Sequence, residues 1–515
     1  MKWYWKVFIG ICTFLMLVIV LNIGINFCIK FQLPKIINRE NDSAYFITYK
    51  NLDISLLHTT IKADGIVIVP KAALKDSINK SGIYGKISSL QIKGFKVWNL
   101  LFNDKLITNS IIVEKPQVTL YQKSNKDNIR NLVAEPFGKI VAVSDVFLNH
   151  GEFKIINVKN NKMVLSVYNF NFKINGILIT DKILEKKIPI EFRNYNVSCD
   201  SINYQPNEFY HIQTEKIRAA NAGLNIASLK IIPEYSRHEF VSRIPKEQNL
   251  YTISCKSINV NKMNWGFHGN DFFFNCDAIV LDKLAADIYR SREPPDDLSK
   301  QHLYNKLLRD MNFDLKIDTF KVRNSIVEYE EKKSADIGTA KLILNPFNLT
   351  ATSICSGFKK TTLPNLKIKI QCGLMNSAPL NVNWKLNVMD KSDGFSINGR
   401  LTDFDAEKII PFSKPFLNVT TKGTIDEVLF NFTGNDKGIS GKFKVKYDDL
   451  KLTIYKKNDR KKKNKVLTFL AKIFVKKNTK DKLKDANISV ERNQERSFYD
   501  LLWRSILEGL KKILV

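Results

Sequence analysis

Acidic side chains come close together at two places in the sequence. One is the pair Asp448-Asp449, and the other is the run Glu328-Tyr329-Glu330-Glu331. Carboxylate oxygens grouped in this way could bind a hard cation. Acidic residues at turns and strand edges are far commoner than cation sites, however, so we expect neither a bound metal nor a cofactor.

No other grouping of reactive side chains in the sequence indicates catalysis. The sequence contains no phosphate-binding loop, no dinucleotide fingerprint, no HExxH pair and no GxSxG elbow. The histidines are dispersed without metal-ligand spacing, at His58, His150, His211, His238, His268 and His302. We therefore expect no enzyme, and the alternative of a membrane-anchored hydrolase lacks a nucleophile and base that could be named.

The sequence begins with a segment long and apolar enough to cross a membrane. Residues 7–29 are uncharged and lie between Lys6 and Lys30. As a helix they would extend over about 34 Å, against about 30 Å of hydrocarbon. A cleaved signal peptide is the alternative, but no small-residue cleavage site follows. With Lys2 and Lys6 on the cytoplasmic side, the sequence predicts a single-pass anchor and a large extracytoplasmic part.

Basic residues are in excess throughout the chain, and the C-terminal tail is the most basic part. The 80 Lys and Arg against 51 Asp and Glu give a formal charge of +29. No nucleic-acid-binding signature accompanies this charge, and we expect no nucleic-acid partner. From residue 456 a cationic linker leads to a predicted short amphipathic helix, Val466 to Lys477. Either a solvated loop or attraction to anionic lipid headgroups explains the linker.

The last predicted helix has an apolar stripe at helical spacing. Packing on its own protein, lying in a membrane interface and docking a partner all remain open for this stripe. It consists of Tyr499, Leu502, Trp503, Ile506, Leu510 and Ile513.

Most of the remaining chain alternates apolar and polar side chains, which is typical of strands with one buried face. The clearest runs are Asn169 to Asn175, Asn365 to Gln371, Asn381 to Val388 and Lys442 to Tyr447. The pattern predicts a mainly β protein with antiparallel strands. Tight hairpin turns are expected at Asn175-Gly176, Asn398-Gly399 and Gly434-Asn435-Asp436. Besides the tail, a short helix is predicted around Leu298 to Leu308.

Five cysteines follow the predicted anchor: Cys199, Cys255, Cys276, Cys355 and Cys372. Their odd number and wide spacing fit neither a zinc site nor a dense disulfide framework. We expect buried free thiols.

The chain also resembles itself at a spacing of about 165 to 174 residues. Tyr45 to Tyr49 matches Tyr210 to Thr214, and the order of four further short matches is kept as far as Ile317 to Phe320. Chance similarity between strand residues is the alternative. A duplication predicts segments 1–30 (stub and anchor), 31–180 and 181–360 (two β units), 361–455 (a shorter β stretch) and 456–515 (linker and helices).

The anchor followed by these strands resembles the AsmA-like family of bacterial envelope proteins. The resemblance rests on Ala44 to Ile54 with Thr60 to Pro70, on Ile87 to Ile92, on Ile112 to Tyr121, on Leu315 to Asp318 with Ile326 to Glu331, and on Glu491 to Gly509, the last as in Bacteroidetes-like members. It implies an elongated, curled antiparallel sheet with an apolar groove, anchored in the inner membrane and projecting into the periplasm. It also implies a role in phospholipid transport and outer-membrane homeostasis.

If the resemblance holds, the apolar side of the strands would line a groove that shields acyl chains without covalent chemistry. The filled core of a β-sandwich produces the same alternation and is the competing interpretation. A scaffold or assembly factor for outer-membrane proteins or glycans, acting through the C-terminal tail, is the alternative function. The candidate groove residues are Leu90, Ile92, Val118, Leu120, Phe170, Phe172, Ile174, Ile317, Leu366, Ile368, Ile370, Val382, Trp384, Leu386, Phe443 and Val445.

Overall fold

The computed structural model describes residues 45–55, 58–71, 81–96, 105–122, 140–180, 183, 191–334, 338–456, 479 and 482–514. These residues are mainly β, as predicted. The predicted anchor at 7–29, most of the basic linker and the predicted helix from Val466 to Lys477 lie outside the described residues. Within them, no helix is long and apolar enough to cross a membrane.

The chain divides into two compact units. The first contains the residues up to Pro206 together with Ile212–Ala222, and the second contains Asn207–His211 and Gly223–Val515. The predicted segment boundaries at 180 and 360 stay predictions.

Ten strands are assigned to the first unit, and most of them pair in an antiparallel way with the next strand along the chain. They are β1 (Tyr45–Thr48), β2 (Asn51–Ser55), β3 (Thr60–Pro70), β4 (Gly82–Lys93), β5 (Lys105–Glu114), β6 (Gln117–Gln122), β7 (Ile140–Asn157), β8 (Lys162–Ile179), β9 (Asn194–Tyr204) and β10 (Tyr210–Ala220). β5 and β6 are the exception, because each pairs with β7 in parallel.

The second unit contains the remaining strands. Its strands are β11 (Gly223–Pro233), β12 (Asn249–Asn261), β13 (Asn264–His268), β14 (Asp271–Ser291), β15 (Asp314–Lys332), β16 (Ala340–Cys355), β17 (Leu366–Leu374), β18 (Ala378–Leu386), β19 (Phe395–Asp405), β20 (Val419–Gly434), β21 (Gly438–Ile454) and β22 (Lys484–Glu491). Its helices are α1 (Arg237–Arg243), α2 (Tyr304–Arg309), the 3-10 turn Ala406–Ile409, α3 (Ile410–Leu417) and α4 (Phe498–Leu514).

The prediction of a purely antiparallel sheet is wrong, because the strand pairing is mixed. β14 pairs with β15 in parallel along most of its length, as β5 and β6 do with β7. A parallel pair needs a long return connection, which the segment between Ser291 and Asp314 provides. Alternation of apolar and polar residues indicates that one face of a strand is buried, but it does not indicate whether neighbouring strands are parallel or antiparallel.

The four clearest alternating runs are confirmed as strands, in β8, β17, β18 and β21. The turn at Gly434-Asn435-Asp436 is confirmed, since it joins β20 to β21. The turns at Asn175-Gly176 and Asn398-Gly399 are wrong, since both pairs lie inside strands. The Phe430 ring of the neighbouring strand covers Gly399, and a Cβ added at this position would lie 2.2 Å from that ring. A larger residue does not fit, which explains a glycine inside the strand.

The prediction was right for the last helix of the tail and only partly right for the helix around Leu298 to Leu308. The C-terminal helix is confirmed as α4, whereas the helix expected around Leu298 to Leu308 is limited to the six residues of α2. The five predicted buried free thiols are confirmed: all five are unpaired and buried.

A similar strand irregularity occurs in both units, while the duplication itself stays a prediction. In β7, His150 has a φ of 55°, and its N–H donates to the side chain of Asn171 in β8 at 2.8 Å. In β15, Asn324 has a φ of 52°, and its N–H donates to Asn348 in β16 at 3.0 Å. The offset of 174 residues between the two bulges equals that between the nearest pair of matched segments, Val143 to Val146 and Ile317 to Phe320. Each bulge lies in a strand that pairs in parallel with an earlier strand.

Candidate functional site

The strand register of the second unit builds two unbroken rows of apolar residues across eleven strands. We call these rows the apolar face of the second unit. The first row is Leu224, Val260, Ile279, Phe320, Ala351, Ile368, Trp384, Ile397, Phe432, Gly441 and Ile488. The second row is Ile226, Ile258, Leu281, Val322, Leu349, Ile370, Val382, Gly399, Phe430, Phe443 and Ala486.

The first unit builds an apolar face by the same rule. One row is Ile54, Ile61, Ile92, Ile111, Val146, Ile174 and Tyr195, and the next is Leu52, Ala63, Leu90, Val113, Leu148, Phe172, Val197 and Ala219. At about 4.8 Å per strand, a row of eight strands extends over roughly 34 Å. This length exceeds the roughly 15 Å thickness of one hydrocarbon leaflet.

The rows form because side chains alternate between the two faces of each strand and because the register between neighbouring strands pairs apolar residues with apolar residues. Successive side chains of a strand point to opposite faces, so a slip of one residue would move a whole strand's apolar set to the wet side. Leu281 therefore belongs to the apolar face, while its neighbour Val280 lies in a row with Asn259 and Lys321. Bulges allow the phase to be kept in long, bent strands.

Part of the second unit's apolar face is filled by the chain itself. From β17 to β22 the rows form a core with α2 and α4, in which Phe432 and Phe443 are fully buried. The ring of Trp384 stacks on Phe498 of α4 at a centroid distance of 4.4 Å. From β17 to β22, therefore, the apolar side chains form a filled core, as the competing interpretation of the alternation expected.

The apolar face at β11, β12 and β14 is more open. Ile226, Ile258 and Leu281 are half-buried, and none of the clusters of buried side chains among the described residues includes them. Their neighbours in the first row, Leu224 and Ile279, are also half-buried. Most residues in the rows of the first unit are also half-buried, for example Leu90 and Val197.

Of the predicted groove residues in the first unit, four lie on its two rows. These are Leu90, Ile92, Phe172 and Ile174, all half-buried. Phe170 stacks on Phe172 at 6.4 Å. Val118 and Leu120 belong to two further rows, in β6, and are paired with Phe153 and Ile155 of β7; Leu120 is buried.

The remaining predicted groove residues lie in the second unit. Ile368, Ile370, Val382 and Trp384 lie on its rows and are half-buried. Leu366, Leu386, Phe443 and Val445 are buried in the core formed with α2 and α4, so we leave them out of the candidate lipid-binding surface. Ile317 is buried beside Val260 and Cys276.

The predicted stripe of the C-terminal helix packs on this chain. Leu502, Ile506, Leu510 and Ile513 contact the core, and Trp503 meets Phe412 of α3 edge to face at 5.1 Å. Tyr499 is 62% exposed. The deepest contacts come from residues beside the stripe that sequence reasoning did not include, namely Phe498, Leu501, Ser505 and Gly509.

Sequence reasoning also missed a buried ion cluster that fixes the start of α4. The Glu247 carboxylate, 1% exposed, accepts from Arg290, Arg292 and Arg496 at 2.7–2.8 Å. Burial alone would raise the pKa of Glu247, but the hydrogen bond from Arg290 and the nearby arginine charges lower it. These residues are far apart in sequence, so no local pattern pointed to them.

Both acidic groupings contribute carboxylates to ion pairs within the protein. In the first, Asp449 pairs with Lys451 at 2.8 Å. Glu328 and Glu330 both contact Lys341, and Glu330 also accepts from Arg237 at 2.6 Å. Glu331 accepts from Arg292 at 2.8 Å. In the part of the chain that the structure describes, no group of three or more His, Cys, Asp or Glu could hold a metal ion.

A shallow depression of about 270 Å³ lies between β22 and α4, lined by Val490, Arg504 and Leu507 among others. It is smaller than typical small-molecule sites of about 300–1,000 Å³. The apolar faces are therefore the strongest candidate site. Neither a protein-family model nor a curated protein matches the chain.

Proposed function

We propose that this chain is an AsmA-like envelope protein that shields phospholipid acyl chains on the apolar faces of its two units, without covalent chemistry. The observation that carries the proposal is the set of in-register apolar rows whose side chains, apart from the buried Ala63 and Val260, remain half-buried at β3 to β9 and at β11 to β14. The elongated, curled groove implied by the resemblance is part of the proposal. So are the inner-membrane anchor at 7–29 and the periplasmic location.

The physical need for such a face follows from the cost of exposing acyl chains. Baring two sixteen-carbon tails in water costs roughly 25 kcal/mol at about 0.8 kcal/mol per methylene. A row of similar aliphatic side chains covers a tail without holding it at one position. A lipid could therefore slide along the row over low barriers.

The alternative function of a scaffold loses its main support, because the apolar stripe of α4, which could have bound a partner, packs on this chain itself. The filled part of the second unit's apolar face also limits the proposal. Acyl chains would lie on β11 to β14 and on the first unit, and would reach β17 to β22 only by displacing α4.

Two neighbouring residues of β14 allow a matched test. We would place a photocrosslinking amino acid at Leu281, on the apolar face, or at Val280, on the opposite face, and irradiate the full chain in its native membrane. The expected result is a phospholipid adduct at position 281, found by mass spectrometry of the purified protein. Position 280 should give few or no adducts.

Equal labelling at both positions, or none at position 281, would overturn the proposal. A second readout is phospholipid retained through purification. The variants Ile258→Asn and Leu281→Asn should retain less phospholipid than the wild type. The control Val280→Asn makes the same kind of change on the other face and should retain as much as the wild type.

A further inference from the structure

The face of β17 to β22 opposite the core has an unusual composition. One row across these six strands is Lys369, Asn383, Asn398, Asn431, Lys442 and Asn487. The adjacent row is Lys367, Lys385, Ser396, Thr433, Ser440 and Ser489. The two rows hold lysines and neutral hydrogen-bonding side chains and contain no carboxylate, and all these residues except Ser396 are exposed.

The lysines are arranged in a way that the fold alone does not favour. Lys367 and Lys385 lie directly opposite each other, and like charges at such positions destabilise a strand pair. Some strand lysines and arginines elsewhere in the described residues have a carboxylate within reach, as in the pair Arg400–Glu427. Among the ion pairs of the described residues, none includes Lys367, Lys369, Lys385 or Lys442.

The asparagines are equally unexpected. Asn is depleted in strands, where Thr and Val are preferred. Here Asn383, Asn398 and Asn431 occupy the exposed centre of three adjacent strands, and the Asn383 amide donates to Asn398 at 3.2 Å. Residues that contradict local preference without helping the packing are expected at functional sites.

We propose that this polar face, defined by the two rows above, binds an acidic polysaccharide. The unpaired lysines complement carboxylate or phosphate groups, and the amide and hydroxyl side chains can donate to and accept from sugar hydroxyls. Neither row carries an apolar side chain that could insert into a bilayer, which disfavours a membrane surface as the occupant. The proposal goes beyond lipid shielding and does not depend on it.

The test measures binding of the full chain in detergent micelles to polygalacturonate, with neutral dextran and phosphatidylglycerol vesicles as comparison probes. The triple variant Lys367→Gln, Lys369→Gln and Lys385→Gln should bind polygalacturonate at least tenfold more weakly. Binding should also weaken with salt. The matched control is Lys86→Gln, Lys230→Gln and Lys256→Gln, which removes three exposed strand lysines elsewhere and should bind within about twofold of the wild type.

The double variant Asn383→Thr and Asn398→Thr keeps the charge and suits a strand. It should lose severalfold in polygalacturonate affinity while its unfolding midpoint stays the same or rises. No binding to polygalacturonate, equal loss in both lysine variants, or binding to the vesicles that is insensitive to the asparagine changes would each overturn the proposal. None of these results would alter lipid labelling at position 281, so the two proposals fail separately.

Discussion

Gly509 of α4 lies directly on the ring of Phe443 in β21. A Cβ built on Gly509 would lie 2.4 Å from that ring, well inside van der Waals contact. The helix therefore approaches the sheet as closely as a backbone can, and glycine is what permits this approach. Close packing at this point closes the β17 to β22 part of the apolar face.

The change Gly509→Ala tests this contact. Alanine ordinarily stabilises a helix interior by about 0.5–1 kcal/mol relative to glycine. Here we expect the opposite sign, a loss of about 1–3 kcal/mol, because overpacking forces the helix or the ring to move. Chemical unfolding followed by tryptophan fluorescence measures the change, since Trp503 and Trp384 both border this core.

A matched control lies in the same helix. Lys511 is exposed, so Lys511→Ala should change the free energy of unfolding by less than about 0.5 kcal/mol. Combining Gly509→Ala with Phe443→Leu should recover part of the loss if the ring is the obstacle. A Gly509→Ala protein as stable as the wild type would show that α4 does not pack as described.

A second prediction concerns the Glu247 cluster. Glu247→Gln keeps the side-chain shape but leaves three arginines around an uncharged amide. Removing one partner of a buried ion cluster typically costs about 3–5 kcal/mol. We expect a loss of that order in the second unit, measured by chemical unfolding. The control Glu495→Gln, at an exposed position of the same segment as Arg496, should have little effect.

The same carboxylate makes stability depend on pH. The pKa of Glu247 in the folded chain is lowered, so its stabilising contribution is fully present above the unfolded value of about 4.3 and is lost as pH falls through the folded pKa. The wild type should therefore lose stability below about pH 4.3 more steeply than Glu247→Gln. Parallel acid-unfolding curves for the two proteins would contradict this assignment.

Strands with one buried and one exposed face could be predicted from the sequence. Strands with apolar residues on both faces were harder to interpret. The run from Asn365 to Gln371 alternates cleanly, and it is a strand with Leu366, Ile368 and Ile370 on the core side. In β14, by contrast, Ala278 to Leu281 reads as a continuous apolar run, because Val280 is apolar on the polar face. The open position Leu281 was missed for that reason, whereas the run from Ser257 to Asn261 in β12 does alternate around Ile258.

Long-range partners were beyond the reach of sequence patterns. The stripe from Leu502 to Ile513 identified the C-terminal helix, yet its backbone approaches the Phe443 ring at Gly509, a residue that no hydrophobic pattern includes. Parallel pairing of β14 with β15 depends on where the intervening segment returns the chain. The Glu247 cluster joins residues almost 250 positions apart, and only the fold brings them together.

The repeated bulges make a third prediction. Asn348→Ala removes the acceptor for the Asn324 N–H, so we expect a loss of about 1 kcal/mol and faster hydrogen exchange at that amide. Asn324→Gly should be tolerated because its φ of 52° suits glycine, whereas Asn324→Val should cost more. The equivalent change Asn171→Ala should act in the same way on His150 in the first unit. Exchange rates that respond in only one unit would argue against an equivalent role for the two bulges.

The buried thiols give a last prediction, on reactivity. Burial raises the pKa of Cys276 and of Cys372 to about 11, and in Cys276 nearby Asp318 and Asp277 add to the effect. The thiolate is the reactive form, so at pH 8 only about one thiol in a thousand would be ionised at these sites. We expect Cys276 and Cys372 to resist iodoacetamide at pH 8 in the folded chain and to react fully in urea. Peptide mapping resolves each site, and an exposed cysteine introduced by Ser489→Cys provides a reference rate within the same protein. Labelling of Cys372 at the rate of this reference would contradict the burial of this thiol in β17.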